Sequence, residues 1–280
     1  MRLVCGLSTL EIARAFLVGE PALAQRLLRA KRKIADAGVP FEVPGPEDWP
    51  GRLDAVLSTL EVAYSKAHED AAGTGAHAAY ATEMLDLTRV LADLLPREPE
   101  AQAFAALVRF AEARRPARLD AAGAMVPLSQ QNPALWNRAL IAEAEACFLR
   151  AAAPEPGPRA LQAAIHRAWC QRGSAGDPPP WPRILALYDG LLRHGAGAIV
   201  RLNRAVALAE VEGVAAALAE VEALDCAAMQ GFLSYHALRA DLLRRSDRRG
   251  EARAAYDAAL ALGPAAAERE WLLQRRQGSA

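Results

Sequence analysis

Near the N-terminus the apolar positions fall into two blocks at helical spacing. Ile12, Ala13 and Phe16 make a short apolar face, and Leu23, Leu27, Ala30 and Ile34 follow at intervals of four, three and four. The first block is predicted to start at Ser8 or Thr9, because Ser8 and Glu11 have the spacing of a capping box, in which each satisfies the other's free backbone amide. Leu17, Val18 and Gly19 read as a turn. Glu20 and Pro21 then suit a helix start, where an acid meets the positive helix end and proline needs no amide partner. The expected result is two helices in a tight hairpin, the second with a buried stripe. Gln25, Arg29 and Arg32 fall opposite that stripe, with Arg26 and Lys33 on its flank.

The next segment, residues 37–52, holds Pro40, Pro44, Pro46 and Pro50 and three glycines, and is expected to be a non-helical linker. Helical periodicity resumes at Leu53 and runs to Ala71, with Leu53, Val56, Leu57, Leu60 and Tyr64 on one face. Gly73-Thr74-Gly75 breaks it. Further helices are expected over 78–95, from Pro99 to about Arg114, over 136–151 and over 159–171. Residues 115–133 form the one long non-helical stretch of this part, with a turn signal at Asp120 to Gly123 and a short extended piece at Met125 to Leu128. Residues 173–182, rich in proline and glycine, read as a rigid connector.

The last hundred residues carry a repeat. Ala205, Ala217 and Val221 are matched by Ala240, Ala252 and Tyr256, each 35 positions later, and Pro264 closes the second copy. Small residues at fixed points of paired helices fit tetratricopeptide geometry, and residues 183–194 read as part of an earlier, more degenerate copy. Stacked repeats of this kind offer a concave surface to a peptide or helix.

Alternating strand-like runs are absent, Val and Ile are sparse, and Ala and Leu dominate the 52% of hydrophobic residues, so the expected fold class is all-α. No apolar run approaches a membrane span and no signal-peptide pattern opens the chain, which implies a cytoplasmic protein without a membrane partner. Cys5, Cys147, Cys170 and Cys226 are scattered, as expected of free buried thiols rather than a zinc site. His68, His77, His166, His194 and His236 lie far apart, and His68 with Glu69 and Asp70 reads as a solvated helix end. Gly73-Thr74-Gly75 lacks the following lysine of a phosphate loop. Trp136, Trp169, Trp181 and Tyr235 read as core, and Glu222 with Asp225 as a solvated face. Arg114, Arg115 and Arg118 beside Asp120 either bind an anion or pair with acids and fix the loop. Nothing in this set predicts an enzyme, a metal or a cofactor.

Charge sharpens the picture at one end. Residues 1–34 hold seven basic residues against Glu11 and Glu20, an excess of five in a chain whose net charge is zero. A hairpin whose second helix has a Gln/Arg outer face can lie in a major groove, its polar side chains on base edges and its other cations on phosphates. The same pattern also fits an amphipathic hairpin with a solvated basic face.

GLSTLEIARAFLVGEPALAQRLLRAKRKI resembles the C-terminal helix-turn-helix, region 4, of bacterial extracytoplasmic-function sigma factors, through GLS-x-x-EIA, a turn, and RL-x-RAK. More narrowly, it resembles the subgroup in which region 4 continues into a long tetratricopeptide-like extension. ARRPARLDAAGAMVPLSQQNPALWNRALIAEA (113–144), LQAAIHRAW (161–169), ILALYDGLL (184–192), VRLNRAVALAE (200–210) and YHALRADLLRR (235–245) carry that likeness. Gly19 stands where many relatives have proline, and Ser65-Lys66-Ala67-His68 where many have Asn-Glu-Gly-Tyr.

The resemblance implies a helix-turn-helix over 1–36, a linker over 37–52, and a helical extension over 53–280 with repeats at about 183–264. It implies promoter DNA, a −35-like element, as partner of Gln25, Arg26, Arg29, Arg32 and Lys33. It implies RNA polymerase as a partner where region 2, which binds the core enzyme and melts the −10 element, is supplied. No region 2 and no first helices of region 4 are recognisable here, so sigma activity is expected only if an upstream segment supplies them. The extension is expected to bind a protein or peptide. The alternative is a stand-alone helical-repeat adaptor without DNA binding.

Overall fold

The structure is a computed structural model that describes residues 1, 5–38, 42–69, 80–195, 197–224 and 229–278. Among the described residues it is all-helical, with thirteen α-helices and no strand beyond a single bridge between Leu119 and Met125. The chain divides into two compact units, Met1–Lys66 and Ala67–Ala280.

In the first unit, α1 (Thr9–Ala15) opens on the predicted capping box. The Ser8 hydroxyl accepts from the Glu11 amide at 3.1 Å, and the Glu11 carboxylate accepts from the Ser8 amide at 2.8 Å. The turn into α2 (Glu20–Asp36) is made by Leu17 at φ 51, a left-handed position, with the Val18 amide bonded to the Ala13 carbonyl. Gly19 has ordinary extended angles and caps α2 without a side chain; Pro21 sits in the first turn.

The predicted buried stripe of α2 is not buried. Leu23 and Leu27 are half-buried, Ala30 is exposed, and Ile34 is 58% exposed. The reason is length. At 1.5 Å per residue, the seven residues of α1 cover only about 10 Å of a helix roughly 25 Å long.

The proline-rich segment also departs from expectation. α3 spans Trp49–Glu69 and so begins inside the predicted linker, after a 3-10 turn at Pro46–Asp48. Pro50 falls in the first turn of α3, where its missing amide costs nothing. The Trp49 indole donates to the Pro44 carbonyl at 3.2 Å. On α3 Leu57 and Tyr64 are buried and Val56 is 44% exposed. The predicted break at Gly73-Thr74-Gly75 lies outside the described residues.

The second unit begins its helical layer with α4 (Tyr80–Leu94), α5 (Pro99–Ala113), α6 (Arg138–Arg150) and α7 (Pro158–Cys170). α5 packs against the other three, and every residue from Ala101 to Ala113 is buried. Alanine at 101, 103, 105, 106, 111 and 113 lets three neighbours approach its backbone. Its buried polar groups find partners, as burial demands. Gln102 donates to the Ala92 carbonyl at 2.7 Å, and Arg109 donates to the Thr88 hydroxyl at 3.2 Å.

Six further helices follow: α8 (Trp181–His194), α9 (Ala198–Val211), α10 (Val214–Glu222), α11 (Leu233–Arg245), α12 (Arg249–Ala261) and α13 (Ala266–Gln277). Each packs on the one before it, and α8 packs on α7. A β-carbon at Gly190 of α8 would meet Leu161 of α7 at 3.4 Å, a measure of how closely those helices approach. Ala205, Ala217, Val221, Ala240, Ala252 and Tyr256 are all fully buried.

Candidate functional site

The α1–α2 hairpin places the DNA-contact candidates on one element. Gln25, Arg26, Arg29, Arg32 and Lys33 are all exposed on α2, with Lys31 beside them. Among the described residues none of these cations forms an ion pair or a side-chain hydrogen bond. The second unit differs. There Arg115, Arg159, Arg167, Arg204, Arg244, Arg245, Arg248 and Arg276 each hold a carboxylate. Unpaired cations along one exposed helix are an electrostatic footprint for a polyanion, because neutralising them costs no existing pair.

The 114–132 loop is held as structure. Arg115 grips Glu112 at 2.5 and 2.9 Å. Arg114, buried, donates to the His166 carbonyl at 3.2 Å and to His166 Nδ1 at 2.6 Å, and lies 3.9 Å from Cys170 Sγ. Asp120 Oδ1 accepts from the amides of Ala122 and Ala124, both at 2.9 Å, and Gly123 at φ 82 closes the predicted turn. The Met125 amide donates to the Ala267 carbonyl at 3.2 Å, which ties the loop to the start of α13. Buried Arg172 donates to the carbonyls of Ser129, Ala175 and Asp177, joining the loop to the 173–182 connector.

His68 is not a solvated helix end. Its Nδ1 lies 3.6 Å from Glu112 Oε1, and burial drives its pKa down to about 4 against the raising pull of Glu112. His166 is held well below its usual value by burial, with Arg114 and His68 adding to the effect. Burial likewise pushes the Cys170 thiol up. The two histidines are therefore held neutral and Cys170 is held as the thiol. Periodicity gave no warning of it, because His68, Glu112 and His166 come from three separate helical segments. Cys5, Cys147 and Cys170 are free and buried, whereas Cys226, Asp225 and His77 lie outside the described residues.

Trp136, Trp169 and Tyr235 are core residues as expected. Trp181 is half-buried and meets Trp169 edge to face at 5.0 Å. Glu222 is not a simple solvated acid, since it lies 3.5 Å from Arg248. Among the described residues no trio of His, Cys, Asp or Glu is arranged to hold a metal, and no helix is long and apolar enough to cross a membrane.

Residues 52–152, which include α4, α5, the loop and α6, match a family of unknown function, DUF6596. An uncharacterized protein of Rhizobium meliloti (strain 1021) is 41% identical over 274 residues, covering 97% of this chain. The chain spans 64% of the length of that curated relative. No solved structure matches it.

Proposed function

We propose that this chain is a cytoplasmic transcription protein of the extracytoplasmic-function sigma type. In this reading α1 and α2 are a region-4-like helix-turn-helix that binds a −35-like promoter element, and the rest is a helical regulatory extension. The observation that carries it is the row of exposed, unpaired cations at Arg26, Arg29, Lys31, Arg32 and Lys33 on α2. Gln25 and Arg29 are the base-edge candidates, and the other cations meet phosphates. Residues 183–264 read as tetratricopeptide-like repeats, supported by the full burial of both sets of residues 35 positions apart. Sigma activity also needs a region-2-like segment to engage RNA polymerase.

The test is duplex DNA binding by the full chain across a salt series. If four cations release counterions, the logarithm of affinity falls against that of salt with a slope of about −3 to −4. Arg29→Glu with Arg32→Glu abolishes the binding. Affinity that ignores salt, or survives the double reversal, removes α2 as the DNA surface.

A second reading is a helical-repeat adaptor without DNA binding. It draws on an open groove in the second unit, lined by Trp181, Val206, Leu238 and Trp271 and by the loop at Pro127, Ser129 and Gln130. A chain that fails to bind duplex DNA even at low salt leaves this reading standing.

A further inference from the structure

Two helices carry the same outward pattern with opposite charge. On α4 the inner face, Ala81, Met84, Thr88 and Ala92, is buried, and α5 packs against this helix. The outer face is apolar as well: Leu87 and Val90 are each 47% exposed and Leu94 is 57% exposed. A helix that is apolar on two faces has a second face to cover. Asp86 and Asp93 stand one residue before Leu87 and Leu94. On α2, Leu27, Ala30 and Ile34 repeat the intervals of three and four, and Arg26 and Lys33 stand one residue before Leu27 and Ile34. Ile34 is 58% exposed, Ala30 is exposed and Leu27 is half-buried. Both stripes have the spacing of a coiled-coil seam, with flanking charges seven residues apart. Among the described residues Arg26, Lys33 and Asp93 form no ion pair and no side-chain hydrogen bond. Asp86 meets Arg89 of its own helix at 3.5 Å, with both side chains largely exposed, an arrangement that contributes little.

We propose that α2 of one copy of this chain packs antiparallel on α4 of a second copy. In that register Leu23, Leu27 and Ala30 of the first copy meet Leu94, Val90 and Leu87 of the second, while Arg26 faces Asp93 and Lys33 faces Asp86. Charge complementarity selects the occupant, as flanking charges do in coiled coils. Antiparallel pairing of α4 with another α4 would set Asp86 against Asp93, and pairing of α2 with another α2 would set Arg26 against Lys33. A polyanion is repelled from α4, which holds three acids against Arg89. Gln25, Arg29 and Arg32 lie on the other side of α2, so the contact leaves them uncovered and stands whether or not α2 binds DNA. Each stripe spans only about 10 Å of helix. The contact therefore falls well below the standard interface of about 800 Å² per partner, and its dissociation constant is expected between roughly 10 µM and 1 mM. It is dissociated at the lower concentrations of an unfolding experiment.

The experiment is analytical ultracentrifugation of the full chain at low salt, up to a concentration of about 1 mM. The average mass is expected to rise with concentration from the 29.9 kDa of one chain. Arg26→Asp with Lys33→Asp keeps the chain monomeric, and so does Asp86→Lys with Asp93→Lys, because each sets like charges against one another. Mixing these two variants restores association, since each supplies the charges that the other has lost. Circular dichroism checks that the variants fold. Should a charge variant fail, Ile34→Glu and Val90→Glu replace the pair, each monomeric alone and associating when mixed. Arg29→Glu with Arg32→Glu, on the other side of α2, removes DNA binding and leaves association intact, so the two readings fail separately. A parent chain that stays monomeric, single variants that associate as the parent does, or a mixture that stays monomeric overturns the proposal. So does loss of association through the Arg29 and Arg32 reversal, which would mean attraction by overall charge and not by this face.

Discussion

At the scale of single residues, Arg114 and its neighbours show how a buried charge is made tolerable. A guanidinium only donates, so its bond to His166 Nδ1 requires that nitrogen to be unprotonated. The histidine thus serves the arginine as a neutral acceptor. The pKa of His166 is depressed, and that of His68 falls to about 4. For both groups the unfolded chain binds more protons, so their contribution to stability is complete above about pH 6.5. It is lost as pH falls from there through about 4. His68 keeps 30% of its side chain exposed, whereas His166 Nδ1 accepts directly from buried Arg114 at 2.6 Å, so His166 is the more sensitive of the two. His166→Gln should keep an acceptor for Arg114 without a titrating group. Urea midpoints measured from pH 7 to pH 4.5 should therefore fall less steeply in this variant than in the parent; parallel curves would remove His166 from the acid response. The sequence does allow Arg114 and Arg115 to be read as loop-fixing residues, because acids lie nearby. It could not place His68 on Glu112, since that contact is a product of tertiary packing.

At the scale of elements, helix starts were the most legible feature. Ser8 with Glu11, Glu20 with Pro21, and Pro99 each mark a start within a residue or two of the observed one, and the helix expected from Arg159 begins at Pro158. Such signals are local chemistry: a free amide needs an acceptor or a residue that lacks one. A capping residue of the Ser8 kind contributes about 1 kcal/mol. What periodicity does not encode is whether a partner exists for an apolar stripe. α2 has the stripe, yet α1 is too short to cover it, and Ile34 stays 58% exposed. Pro50 shows the converse, a residue read as a helix breaker that is accommodated in a first turn. The contrast can be measured. Ile12→Ala, at a site 4% exposed, should cost about 2–5 kcal/mol. Ile34→Ser should stay within about 0.5 kcal/mol in the same chemical denaturation. A large loss at Ile34 would mean that its face is covered in solution.

At the scale of the whole molecule, stability in residues 181–277 rests on consecutive contacts, each helix against the one before it. In such a stack no single pair of helices encloses a core, and small residues decide how closely the layers approach. The 35-residue offset made that legible, because both members of each matched position had to be small or well packed for the spacing to persist. The groove was not legible, since its lining comes from 127–130, 181, 206–210, 237–245 and 271–275 and has no period of its own. Ala252 is fully buried on α12, and Ala254, two residues on, is exposed on the same helix. The two have nearly the same helix propensity context, so they isolate packing. Ala252→Leu should overpack the α11–α12 contact and cost roughly 1–3 kcal/mol, as should Ala217→Leu on α10. Ala254→Leu should change stability by less than about 0.5 kcal/mol. Thermal and urea unfolding of the three variants decide the matter. Equal effects at 252 and 254 would mean that the backbones do not approach closely there, and the repeat reading of the C-terminal helices would lose its physical basis.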